Sequence, residues 1–223
     1  MRFIRENSLA LFFGGIFLIT LVAQSFVGQH AYNAEAAAHG EPAYSYLRYV
    51  TSSGFGEAVM ENWESEFLQF TLFILATVWF IQKGSPESKK LEEAGRGTDE
   101  DHRVGRFASK DSPAWARADG WRRRIFENSL LIVMGAIFVG AWLGHSFTGW
   151  TEFNQEQREH GEAAVSYLDY LQRPVFWEQS FQNWQSEFLA VGAMVVLSIY
   201  LRQRGSPESK PVGTPHGETG STG

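Results

Sequence analysis

The chain has 223 residues, a formal net charge of −6 and no cysteine. Disulfides, thiolate nucleophiles, Cys-ligated zinc and iron–sulfur clusters are therefore excluded, and with 25 acidic against 19 basic residues there is no basic body for nucleic acid. The mean hydropathy of −0.21 looks water-soluble only because polar and apolar residues are segregated into blocks.

In chain order, Arg2 and Arg5 precede an uncharged, mostly apolar run from Ser8 to Gly28, about 20 residues and long enough to span a bilayer. The basic flank and the small residues near Ala34–Ala38 also fit a signal peptide. Helical pattern continues past Gly28, and Gly40 supplies a natural stop. Pro42 suits the first turn of a short helix holding Tyr46, Leu47 and Tyr49. Phe55, Val59, Trp63 and Phe67 then recur every four residues and lead into a second apolar helix. Its apolar stretch, Phe67 to Ile81, is only about 15 residues, a length that leaves spanning ambiguous. Adding the turn Trp63–Glu66 restores about 19, with Trp63 at the interface and Glu66 near the boundary. Gly84-Ser85-Pro86 reads as a helix stop followed by a new N-cap at Ser85.

Residues 83–121 are rich in Lys, Glu, Asp, Gly and Ser and read as a solvated linker. Trp115 and Trp121, beside Arg122-Arg123-Arg124, fit either contact with an anionic inner leaflet or plain interfacial anchoring of the next helix.

After the linker the chain repeats itself without gaps. A shift of about 121 residues lays 2–89 on 123–210 with about 37 of 88 positions identical. Glu6-Asn7-Ser8-Leu9 falls on Glu127-Asn128-Ser129-Leu130, and His39-Gly40-Glu41 falls on His160-Gly161-Glu162. Asn62-Trp63 and Ser65-Glu66-Phe67-Leu68 fall on Asn183-Trp184 and Ser186-Glu187-Phe188-Leu189. Because Ser8–Gly28 recurs internally as Ser129–Gly149, where a signal peptide has no place, both runs are expected to be membrane helices. The expected organisation is a first two-helix membrane repeat at 1–89, a cytoplasmic charged linker at 90–121, a second repeat at 122–210 and a disordered tail at 211–223.

Basic residues set the expected orientation. About 16 of the Lys and Arg residues lie before the first helix, in the linker or after the fourth helix, against 3 in the two intervening segments (Arg48, Arg158, Arg173). Both termini and the linker are thus expected on the cytoplasmic side, in a multi-pass inner-membrane protein.

Three constellations carry candidate chemistry. The first is a polar belt: Ser25, Gly28, Asn62, Ser65 and Glu66, with Ser146, Gly149, Asn183, Ser186 and Glu187 in the second repeat. Antiparallel pairing would set the small Ser and Gly against the Asn-Trp-x-Ser-Glu turn, either as hydrogen-bonding glue or as a polar binding site. The second is a relay: Glu66 and Glu187 near the membrane, with Gln24 and His145 at matching depth. The third is metal: Glu35 with His39, and Glu156 with His160, sit one helical turn apart and can chelate. The commoner use of such pairs is structural, and no metal or other cofactor is expected. No phosphate loop, dinucleotide fingerprint or nucleophile elbow occurs, so an enzyme is not expected.

Glu-Asn-Ser-Leu before the odd helices, Asn-Trp-(Glu/Gln)-Ser-Glu-Phe-Leu before the even ones, and Arg202–Lys210 together resemble the bacterial membrane proteins grouped as domain of unknown function 6766. The first repeat departs at Ile81-Gln82-Lys83, where the second has Arg202-Gln203-Arg204. The resemblance implies an integral membrane protein and brings no catalytic residues with it. The expectation is an all-α, four-helix membrane protein of two tandem hairpins with helical extracytoplasmic extensions. Its role would be structural or interactive, with the lipid bilayer and a second copy of the chain as partners; the alternative is a small transporter or channel component using Glu66 and Glu187.

Overall fold

The computed structural model describes residues 2–220. Among these the chain is all-α and holds no strand. The helices are α1 (Arg2–Glu6), α2 (Ser8–Ala38), α3 (Tyr46–Val50), α4 (Ser53–Trp79), α5 (Trp121–Glu127), α6 (Ser129–Glu159), α7 (Tyr167–Tyr170) and α8 (Pro174–Tyr200). Two 3₁₀ turns, Leu91–Glu93 and Gly105–Phe107, interrupt the linker. Helices α2 and α6 have 31 residues each, and α4 and α8 have 27 each. At a rise of about 1.5 Å per residue the longer pair measures about 46 Å, more than the roughly 30 Å hydrocarbon core. Both α2 and α6 are long and apolar enough to cross a membrane.

The chain divides into two compact units: Met1–Met60 with Gly144–Gln172, and Glu61–Leu143 with Arg173–Gly223. In the first unit, α2 and α6 end by the same device. Gly40 and Gly161 take left-handed φ values of 75° and 73°, which glycine adopts without the Cβ penalty. The N–H of Glu41 then reaches Ala36 O at 2.8 Å, and that of Glu162 reaches Gln157 O at 2.7 Å, satisfying carbonyls the helix leaves open. The chain is next clamped by an amide side chain. Asn33 accepts from the N–H of Tyr44 (2.7 Å) and donates to its carbonyl (3.0 Å). Asn154 does the same to Val165, at 2.7 and 3.0 Å. Because the clamp grips backbone, a tyrosine and a valine occupy equivalent places without consequence.

The short helices begin later than Pro42 implies. Ser45 and Ser166 are the N-caps of α3 and α7, accepting from the N–H of Arg48 and Asp169. Pro42 lies three residues ahead of the Ser45 cap, in extended chain. A serine cap satisfies an open N–H, which a proline at that place does not.

In the second unit α4 and α8 end at Trp79 and Tyr200, ahead of the Gly-Ser-Pro-Glu-Ser-Lys segments, which therefore neither stop those helices nor start a new one, contrary to the stop and the N-cap expected at Gly84 and Ser85. Gly84 and Gly205 have φ values of 90° and 83°, and the second serine turns back: Gln82 N–H donates to Ser88 Oγ and Gln203 N–H to Ser209 Oγ, each at 2.9 Å. The following lysine closes the loop. Lys89 donates to Gly95 O at 2.7 Å. Lys210, 1% exposed, donates to the carbonyls of Pro215, His216 and Glu218. Burial, then the nearby Arg202, pulls its ammonium below the ordinary lysine pKa, partly offset by Glu218. These bonds tie the tail back on itself as far as it is described; residues 221–223 lie outside the described residues. Farther along, Gly84 N–H donates to Thr219 Oγ1 (2.8 Å) and Gly220 N–H to Ser85 O (3.1 Å).

Burial runs opposite to that of a water-soluble domain. Among the described residues seven serines, Glu64, His145, Asn154 and Lys210 are buried, against eight hydrophobic residues. Meanwhile Leu9, Phe12, Phe13, Leu18, Ile19 and Val27 of α2 are each half to three-quarters exposed or close to it.

Candidate functional site

The belt residues divide between the two units. In the first, Ser25 is buried and its hydroxyl meets Tyr46 Oη at 2.9 Å; Ser146, also buried, meets Tyr167 Oη at 2.8 Å. Gly28 lies against the Tyr49 hydroxyl so closely that a Cβ would collide with it. Gly149 lies equally close to Tyr170, with Glu57 also beside it. The partners of Ser and Gly are therefore tyrosines of the short helices, not the Asn-Trp-x-Ser-Glu turn expected from antiparallel pairing. The reason is local: α3 and α7 fold back on the helix that precedes them, and their tyrosines fill the space the small residues leave.

Tyr44, Tyr49 and acidic side chains gather in the same unit. Tyr49 is pushed above the ordinary phenol pKa by burial and then by the charge of Glu152. Tyr44 is drawn below it, first by a hydrogen bond from Tyr32, then by Gln155, with Arg48 over its ring at 3.7 Å. Ser53 donates to Glu152. The proposed chelating pairs behave otherwise than a ligand set: His39 Nδ1 bonds the Glu35 main-chain oxygen (3.0 Å) and His160 Nδ1 that of Glu156 (2.8 Å). Among the described residues no three His, Asp or Glu side chains gather as a metal site. The relay pair is unequal, since Gln24 is exposed and His145 fully buried.

The second unit holds the remaining belt residues and two carboxylates that sequence reasoning passed over. Asn183 Nδ2 donates to Glu61 Oε1 at 2.5 Å, and Trp184 Nε1 donates to Glu64 Oε1 at 3.0 Å. Glu64 is fully buried, whereas Glu66 is exposed. Two residues along a helix turn the side chain by about 200°, so these neighbours face opposite ways. Ser65 is buried and Ser186 exposed; each hydroxyl donates to the carbonyl three residues back, Asn62 O and Asn183 O. Asn62 is exposed, and Glu187 is half-buried. Glu57, Glu61 and Glu64 step by four and three, which puts them on one stripe of α4. At the equivalent places α8 carries Glu178, Gln182 and Gln185. The signal was available in that contrast: the conserved-looking Asn-Trp of the second half serves carboxylates found only in the first.

Two cavities lie in this unit. One, of about 850 Å³, is walled by the linker and the chain just before α6. The other, of about 250 Å³, lies between the apolar end of α4 and Val191, Gly192 and Val195 of α8. Neither is lined by Glu66 or Glu187.

Fold and site define an all-α protein with two helices able to cross a membrane and polar side chains buried between its helices. The chain belongs to the family described as Domain of unknown function (DUF6766), which matches residues 1–221. No curated protein and no solved structure matches it.

Proposed function

We propose that this is a multi-pass protein of the bacterial inner membrane, with α2, α4, α6 and α8 embedded as two tandem hairpins and with both termini and the linker cytoplasmic. Its role is non-enzymatic, as a structural or interaction protein. The carrying observation is the inverted burial: buried serines, asparagine and carboxylate, with large apolar side chains outward. Water penalises that arrangement on both counts, because the apolar surface stays hydrated and the polar groups are desolvated. Lipid removes the first penalty, and helix-to-helix hydrogen bonds offset the second. The excess of Lys and Arg outside the two intervening segments supports the orientation.

Reporter fusions test this reading. A fluorescent cytoplasmic reporter at residue 100 should glow and alkaline phosphatase at residue 45 should be active. The reverse pattern overturns the topology.

The carboxylate stripe Glu57, Glu61 and Glu64 favours a second reading, proton or cation handling by a small transporter, since ionisable groups at such depth commonly serve a pathway. Four helices leave little interior for a path, so this reading calls for a dimer. A deletion strain grown across pH, salt and metal stress separates the two. Glu64→Gln, Glu66→Gln and Glu187→Gln chains that fold and complement support the structural role; folded chains that fail to complement support transport.

A further inference from the structure

The larger cavity of the second unit has a wall chemistry that the structural reading does not use. Its frame is built by the linker docking on two helix ends. Gly95 N–H donates to Val78 O at 2.7 Å, in the last turn of α4. Arg96 Nη2 donates to Asn128 Oδ1 at 3.2 Å, immediately before α6. The resulting space of about 850 Å³ falls within the roughly 300–1,000 Å³ typical of small-molecule sites.

Its lining is basic. Lys89, Arg96, Arg103 and Arg124 face it, against the carboxylates Asp99 and Glu127. Both carboxylates are already held by Arg123, at 2.9 and 2.7 Å, and Arg123 is not itself in the lining. The four lining cations and Arg123 together outnumber the two acids, five against two, and leave the cavity net positive. Arg103 and Arg124 are exposed, and their guanidinium groups have no protein acceptor among the described residues. Among the described residues Arg103 is also the non-glycine residue with positive φ, at 51°. An Arg cluster with open forks matches the oxygens of a phosphate ester.

Location decides which phosphate. Val78 lies in the last turn of α4 and Asn128 just before α6, so under the membrane reading proposed above the mouth sits where both helices meet the cytoplasm, at the headgroup level of the inner leaflet. Val78, Val104 and Phe126 add apolar wall. Trp79 and Trp121 are 57% and 63% exposed, as expected of interfacial aromatics. A soluble phosphate uses none of this apolar surface; a lipid uses both parts. We infer that this linker cavity binds the phosphate headgroup of an anionic phospholipid, with Arg96, Arg103 and Arg124 as its principal ligands.

The test uses the full chain purified in dodecyl maltoside and three probes: dihexanoyl-phosphatidylglycerol, dihexanoyl-phosphatidylcholine and inorganic phosphate. Binding is followed by tryptophan fluorescence and by thermal melting. Phosphatidylglycerol should saturate at a concentration at least tenfold below either other probe and raise the melting temperature. Arg96→Ala with Arg124→Ala should weaken it at least tenfold. Arg96→Lys with Arg124→Lys should retain most of the binding, and Arg122→Ala, outside the lining, should stay within twofold. Equal responses to the two lipids overturn the proposal, as does a folded Ala variant of unchanged affinity. Inorganic phosphate saturating at the same concentration as phosphatidylglycerol assigns the site to free phosphate and overturns the lipid. The wild-type comparison of probes decides the matter if the Ala variant fails to fold. Alkaline carbonate extraction separates this result from the membrane reading: release of the chain sinks that reading, whereas retention without lipid preference sinks the cavity site alone.

Discussion

The hydroxyl pairs of the first unit and the carboxylate contacts of the second treat the duplicated sequence in opposite ways. Ser25 with Tyr46 and Ser146 with Tyr167 have nearly equal lengths, 2.9 and 2.8 Å, and both join residues 21 apart. Each is a local bond, made by a helix with the segment that follows it. Either half can form its own, and both have kept the residues. In the second unit the bonds run from Asn183 and Trp184 to Glu61 and Glu64, about 120 residues away. There the halves have specialised: one supplies acceptors and the other donors, and Gln182 and Gln185 stand where the first half has its acids. Identity between the halves therefore covers the local clasps and the donors Asn183 and Trp184, whereas divergence at Gln182 and Gln185 marks which half supplies the acceptors between α4 and α8.

The sharpest way to break this comparison is steric. Gly28→Leu and Gly149→Leu each force a branched side chain onto a tyrosine and should destabilise by about 3 kcal/mol, the upper part of the overpacking range. Removing the obstructing hydroxyl should separate the halves: Tyr49→Phe should rescue Gly28→Ala, whereas Tyr170→Phe should rescue Gly149→Ala only partly, because Glu57 still crowds that glycine. Thermal melts in detergent read the difference, and equal rescue would remove the asymmetry. Next in size, Glu64→Ala should cost about 2 kcal/mol, as expected when a hydrogen bond to a buried carboxylate is lost, and Glu66→Ala less than about 0.5 kcal/mol. Equal melting shifts would mean that the two faces of α4 are not different. Ser25→Ala and Ser146→Ala should each cost about 0.6 kcal/mol, the mean for such bonds in membrane proteins, and match one another; a large mismatch would contradict the equivalence of the two clasps. The smallest effect is spectroscopic. In an alkaline titration followed at 295 nm, Tyr44 should ionise before Tyr49, and Tyr44→Phe should delete the earliest phase. The sign follows from the folded pKa values: Tyr49, raised, loses its share of stability as pH climbs past about 10, while Tyr44, lowered, gains as pH rises toward about 10 and adds nothing beyond it.

Much of this was legible in the sequence because helices advertise themselves by period. The Phe55–Val59–Trp63–Phe67 frame gave α4, and Gly40 and Gly161 gave the helix ends, since only their backbone conformation was required. The tyrosine partners of Ser25 and Gly28 were not legible, because pairing was sought between long helices and not with the short helix folded back on α2. Glu64 was passed over for a related reason. Its neighbour Glu66 is kept in both halves, but burial depends on the angle at which α4 meets α8, and no count of identities contains that angle. The contacts of the tail were not legible either: one buried ammonium, Lys210, organises three carbonyls around itself, and no periodic pattern signals such a contact.

That closed tail also puts an order on biosynthesis. The amide of Gly84 emerges early, but its acceptor, the hydroxyl of Thr219, is 135 residues later. At about 5–20 residues per second the ribosome takes on the order of ten seconds to deliver it. The loop after α4 thus remains unlatched throughout synthesis of α6 and α8, and a chain cut short before Thr219 carries all eight α-helices but never fastens it.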